Sequence, residues 1–212
     1  MEKETSRIEA FSDAVFAIAI TLLVLDLHVP MRDSMNDSIG LYKTLALQWP
    51  SYLAFGLSFF SIYIMWVNHH KLFKQIYKRN TALMFTNGLI LFLATCISFP
   101  TALLAEYFNT TYAGKAATLY TGLFVCINLA FNLLWWTATR DRALLRPDIT
   151  DKAILEIKRN YQYGLPVHLL ACALSFFLPV VALLICACLW TYWAFTSGKL
   201  ELSIQPKQPN KP

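Results

Sequence analysis

Apolar residues run along this chain in long blocks separated by short polar stretches, and the blocks have the length of membrane-crossing helices. A helix needs about 20 mostly apolar residues to cross the hydrocarbon layer. Blocks of that kind cover about 8–29, 49–67, 82–105 and 116–138. A fifth region, Tyr161 to Phe195, is too long for one crossing and has Pro179 near its middle. Proline disfavours helix at the residue before it, so the pattern predicts a tight hairpin with spans at about 160–177 and 178–196. The alternative is one kinked helix with a re-entrant piece. The first reading gives an all-α, polytopic membrane protein with six transmembrane helices in one domain, 1–212. The polar loop 140–160 has room for a short surface helix, and the Pro- and Lys-containing tail, 198–212, is expected to be a disordered cytoplasmic segment.

The polar stretches orient the blocks. With six spans, 15 of the 18 Lys and Arg fall on the side of both termini, and only Arg32, Lys43 and Lys115 on the other. Such an asymmetry places both termini in the cytoplasm of a multi-pass protein of the cell membrane. A single helix in place of the last two spans weakens the split. The net charge of +5 therefore reads as topology and contact with membrane lipids. It does not point to nucleic acid.

Composition agrees. The chain is 57% hydrophobic and 15% charged, with a mean hydropathy of +0.46, whereas soluble domains carry about 25% charged residues. No cleavable leader is read before the first block. The five cysteines lie in apolar stretches without metal-ligand spacing and read as small packing residues. The six tryptophans mostly sit near span ends, as an interfacial belt would. Asn36 and Asn109 open short N-x-[ST] matches in the outer loops, which carry little weight alone. Phosphate-binding glycine loops, metalloprotease and nucleophile-elbow motifs, and a potassium-filter sequence are absent. Hence no enzyme, catalytic residue, metal or cofactor is expected.

The informative positions are polar ones within the first block, RIEAFSDAVFAIAITLLVLDL. Ionisable groups inside spans are functional candidates by default. On a wheel of about 100° per residue centred on Ile18, Arg7, Phe11, Ala14, Leu22 and Leu25 fall within about 40° and Thr21 within about 60°. Ser12 lies about 120° away and Asp13 about 140°. The helix thus has an apolar stripe and a separate face carrying Ser12 and Asp13. That second face needs partners inside the bundle, and Arg7, Trp66, Asn68 and His69 lie at matching depth. Indole and imidazole N–H groups can donate to the Asp13 carboxylate. Ser12 and Asp13 read either as a buried hydrogen-bond knot or as direct proton or ion ligands.

Arg7-x-x-x-Phe11-Ser12-Asp13 resembles the R-x-x-x-F-S-D signature of the transmembrane protein 175 potassium channels, in particular their prokaryotic homologues. Trp66-x-x-His69 is also similar to the family pattern. The resemblance implies a homotetramer whose first helices surround a central pore permeable to K+ and other monovalent cations without a carbonyl filter. It also implies a pore constriction at Ile18, Leu22 and Leu25, with Thr21, Phe11 and Ala14 as auxiliary lining. Arg7, Ser12, Asp13, Trp66, Asn68 and His69 become a structural polar network. Without the resemblance, the apolar stripe reads as ordinary helix packing. A proton-coupled transporter using Asp13, Asp26 and His69 as relay groups is the alternative.

Overall fold

The computed structural model describes residues 3–30 and 40–204, with side chains through 195. The expected Asn36 sequon and the end of the tail, 205–212, lie outside the described residues. Eight α-helices follow in order: α1 Ser6–Leu22, α2 Leu41–Leu47, α3 Trp49–Phe73, α4 Thr81–Thr95, α5 Ser98–Tyr107, α6 Ala113–Arg140, α7 Asp151–Ser175 and α8 Pro179–Ile204. The protein is all-helical, and no sheet forms among the described residues.

Among the described residues, four helical stretches are long and apolar enough to cross a membrane: Ser6–Asp26, Trp49–Phe73, Thr81–Tyr107 and Ala113–Arg140. Pro179–Phe195 is a shorter apolar helix. This is a multi-pass membrane protein.

Local sequence explains the boundaries. A 3-10 turn, Leu23–Asp26, continues α1. Pro100 separates α4 from α5: it has no N–H for the carbonyl of Cys96, and its ring crowds that carbonyl. The chain accordingly tightens there, with Ile97 N–H bonding the Ala94 carbonyl at 3.3 Å. Helix α7 begins well before the apolar stretch, because Thr150 Oγ1 caps it by accepting from Ala153 N–H at 3.2 Å. The stretch 151–160, expected as polar loop with room for a short surface helix, is therefore the first part of α7. A three-residue turn joins α7 to α8, and Pro179 opens α8, where its missing N–H costs nothing. Helix α8 runs to Ile204, into the stretch expected as tail.

The core lies where α6 packs against α4, α5, α7 and α8. Tyr120, Phe124, Leu134 and Trp135 of α6 are all buried there. Helix α3 packs on α1, α5 and α8. Ser58 joins three helices inside this apolar setting, with Oγ 2.6 Å from Thr101 Oγ1 and 3.1 Å from the Tyr120 hydroxyl. Gly114 permits one close approach: a Cβ there would lie 2.3 Å from the Phe176 carbonyl oxygen at the end of α7.

One end of the bundle gathers three chain segments. Glu4 N–H bonds the Tyr77 carbonyl at 2.9 Å, Tyr77 N–H the Leu144 carbonyl at 2.8 Å, and Arg146 N–H the Gln75 carbonyl at 2.9 Å. The segment before α1, the α3–α4 loop and the α6–α7 loop thus form one cap.

Candidate functional site

Helix α1 is anchored at its start by polar groups. Thr5 Oγ1 donates to Glu9 Oε1 at 2.7 Å, and Lys3 Nζ pairs with Glu9 at 2.7 Å. Glu9 in the first turn also suits the positive end of the helix dipole.

Along the helix, Ile8, Ser12, Phe16 and Ala19 are buried, and Leu23 of the following turn continues their stripe. Steps of three and four residues keep them on one face. The other face is open on the protomer. Phe11 is 64% exposed, Ile18 56%, Leu22 50% and Leu25 71%. Ala14 and Thr21 are exposed with them. Thr21 Oγ1 donates to the Ile18 carbonyl at 3.0 Å. Its hydroxyl hydrogen is therefore held by the backbone, and its oxygen remains an acceptor towards that open face.

The buried face holds a polar chain across three helices. Ser12 Oγ donates to the Ile8 carbonyl at 2.8 Å. Asn87 Nδ2 of α4 donates to Ser12 Oγ at 3.0 Å. The Asn87 side-chain carbonyl lies 2.6 Å from His69 Nε2 of α3. An amide oxygen only accepts, so His69 carries its proton on Nε2. The His69 ring is fixed by Phe73, stacked at 4.5 Å, and Phe16, edge-on at 5.3 Å. Beside this chain, Trp66 Nε1 donates to Asp13 Oδ1 at 2.8 Å. The carboxylate and serine within this apolar block are thus hydrogen-bonded. Such groups are costly in hydrocarbon unless satisfied in this way.

The six residues expected to form the polar network divide. Ser12, Asp13, Trp66 and His69 meet at the α1–α3–α4 contact. Arg7 stands exposed outside it, at the N-terminal end of α1. Asn68 lines an internal cavity with Tyr161 and His168, and its backbone carbonyl accepts from the Tyr161 hydroxyl at 3.4 Å. Asp26 closes the 3-10 turn that follows α1, whereas Asp13 lies mid-helix. Asn87 is the member that sequence reasoning missed. Its signal was an amide within an otherwise apolar block. Among the described residues, no group of three metal-ligating side chains comes together.

A sequence profile described as "Endosomal/lysosomal potassium channel TMEM175" matches residues 7–100, the stretch from the α1 signature through α4. A potassium channel of Chamaesiphon minutus is 46% identical over 93% of this chain and 97% of its own length. The chain belongs to the TMEM175 family. A Streptomyces collinus potassium channel is 41% identical over 91% of this chain and 92% of its own. The fold agrees with a crystal structure described as a lysosomal potassium-selective channel TMEM175 homolog from Chamaesiphon minutus, at a TM-score of 0.83 and 45% identity, covering 92% of this chain and 98% of that one. TMEM175 proteins form an ion-channel family, not an enzyme class. The stretch from Arg7 to Asp13 that carries the signature also carries the partition described above, with Ser12 turned inward and Phe11 outward.

Proposed function

We propose that this chain is one subunit of a homotetrameric, potassium-favouring cation channel of the cell membrane. Each subunit crosses the membrane six times, with α7 and α8 as the last two crossings and both termini cytoplasmic. The gathering of the segment before α1, the α3–α4 loop and the α6–α7 loop at one end of the bundle supports this topology. Four copies of α1 surround the axis. Ile18, Leu22 and Leu25 form a hydrophobic neck, with Thr21, Phe11 and Ala14 lining its approaches. The permeant ion is K+, in keeping with the names of the relatives at 46% and 41% identity.

The observation that carries this reading is the exposed stripe of Phe11, Ile18, Leu22 and Leu25 opposite a face locked by hydrogen bonds. A neck of such side chains gates by dewetting: when narrow it excludes water, and ions meet a desolvation barrier. Widening it admits partly hydrated ions, and K+ sheds water more cheaply than Na+. The buried network fixes the rotation of α1 so that the stripe faces the axis. Ile18→Asn, reconstituted in liposomes, tests the neck. It should raise ion flux and lower the preference for K+ over Na+. Wild-type values of both would refute the assignment.

A proton-coupled transporter is less well supported. Asp13 is bonded to Trp66, His69 to Asn87, and Asp26 lies in the 3-10 turn that follows α1. Among the described residues, no hydrogen bond links any two of these three. Unitary current steps in a planar bilayer support the channel, while saturable uptake without such steps supports the transporter.

A further inference from the structure

A second polar site lies away from α1. A cavity of about 30 Å³ lies between α3, α6, α7 and α8. Asn128 and His168, both buried, line it, and one nitrogen of each, Asn128 Nδ2 and His168 Nε2, has no hydrogen-bond partner. Their other atoms are committed. Asn128 Oδ1 accepts from Asn132 Nδ2 at 2.9 Å, and His168 Nδ1 lies 3.1 Å from the Gly164 carbonyl. A carbonyl cannot donate, so the ring proton sits on Nδ1 and the neutral ring leaves Nε2 as a bare acceptor. Asn128 Nδ2 is thus an unused N–H donor and His168 Nε2 an unused acceptor at this cavity.

We infer that this cavity is a binding site for one ordered water, which accepts from Asn128 Nδ2 and donates to His168 Nε2. A water needs about 10–15 Å³ on this measure and two to four polar partners, so the space suits a single water and is too small for an organic ligand. Pro166 lies inside α7 and leaves the Gln162 carbonyl without its helical donor, so this part of α7 is already poor in internal hydrogen bonds. Gly164 keeps the packing close: a Cβ there would lie 2.6 Å from Asn128 Nδ2 and 2.4 Å from the Trp193 ring. The water cross-links α6 to α7 where direct contact leaves both nitrogens unpaired.

The test is a map of the full-length wild-type protein at better than about 2 Å. Density within about 3.2 Å of both nitrogens supports the site. An empty cavity, or Asn128 bonded directly to His168, overturns it. His168→Phe supplies a second reading. It removes the acceptor, so the density should disappear; density that persists unchanged would show that His168 does not hold it.

A groove on the outer side of α6 and α7 carries an independent inference. Leu129 and Leu133 form an apolar run that leads to Trp136, Thr139, Lys158 and Gln162. Arg140 lies over the Trp136 ring at 5.4 Å, and Lys158 is exposed. Acidic groups nearby are Asp141, whose carboxylate caps Ala143 N–H, and Glu156, which lies 3.9 Å from Lys152. Lys158 and Arg140 bring positive charge to the rim of a groove whose deeper end is apolar at Leu129 and Leu133, and an aromatic ring marks the change from one to the other. This is the profile of a lipid with an anionic head and an acyl tail. We propose that the groove holds an anionic phospholipid, its phosphate at Lys158 and Arg140 and a chain along Leu129 and Leu133. Given the tetramer proposed above, α7 lies far from the axis: it packs on α6 and α8, while α1 packs on α3 and α4.

Native mass spectrometry of the full chain from nanodiscs mixing phosphatidylglycerol with phosphatidylcholine tests this proposal without reference to conduction. The wild type should retain phosphatidylglycerol preferentially. Lys158→Glu should lower that preference by roughly fivefold or more, on the scale of one interfacial charge. Lys78→Glu, on the α3–α4 loop, is the control. Equal loss from both variants, no loss from Lys158→Glu, or displacement of the lipid by soluble glycerol phosphate would each overturn the groove assignment.

Discussion

Asn87 Nδ2 donates to Ser12 Oγ at 3.0 Å while the same amide receives His69 Nε2 at 2.6 Å. One side chain on α4 thus holds both α1 and α3. Replacing it with leucine keeps the branched shape and removes both bonds. Ser12 still donates to Ile8, but the buried His69 N–H loses its acceptor. Leaving a buried polar group unpaired costs about 1–3 kcal/mol. Asn87→Leu should therefore lower the melting temperature in detergent and reduce the fraction of assembled oligomer on sizing. Wild-type values for both would mean that the amide does not organise the contact.

The Asp13–Trp66 pair gives a sharper prediction. Asp13→Asn retains an oxygen that can accept from Trp66 Nε1, though a neutral acceptor makes a weaker bond than a carboxylate. Asp13→Ala leaves the partly buried indole N–H without this acceptor. If Asp13 serves structure, Asn should support assembly and potassium flux far better than Ala in the same liposome assay. If it relays protons, both variants should lose transport alike, because neither titrates.

These contrasts show what the sequence could reveal. Periodicity alone placed Ser12 on one face of α1 and Phe11, Ile18, Leu22 and Leu25 on another, because helix geometry fixes angular positions without tertiary knowledge. It could not find Asn87, since a partner on another helix depends on packing between segments 75 residues apart in sequence. The break at Cys96–Ile97 was not read, because hydropathy runs through it unchanged and 82–105 looks like one block. The early start of α7 was hidden for the opposite reason. Residues 151–160 are too polar for a span, while the Thr150 cap and the buried Ala153 and Ile157 make them helical.

Gly114 and Gly88 should respond in opposite ways to alanine. At Gly114 the new methyl would meet the backbone of Phe176 at 2.3 Å, which cannot yield without moving the end of α7. Overpacking of this kind costs about 1–3 kcal/mol. At Gly88, within α4, nothing lies within 4 Å of the added carbon. Alanine there removes the helical penalty of glycine, about 0.5–1 kcal/mol. Thermal melts of the two variants should move apart about the wild type. A fall at Gly88 as large as at Gly114 would indicate that a neighbouring subunit occupies the space beside α4.

The cap formed by the α3–α4 and α6–α7 loops should weaken at low pH. Arg146, whose N–H bonds the Gln75 carbonyl, also forks onto the Asp148 carboxylate. That hydrogen bond holds the Asp148 carboxyl below its ordinary value of 3.8. A carboxyl lowered on folding adds stability above the unfolded value and loses it as pH falls through the lower folded one. The pair is largely in solvent, so the effect is no more than about 1 kcal/mol. Asp148→Asn should be slightly less stable than wild type at pH 7. The two should converge as pH drops below 3.8, where the wild-type carboxyl takes up its proton. Melting curves across that range provide the check: a gap that stays constant with pH would show that the charge of Asp148 does not secure the cap.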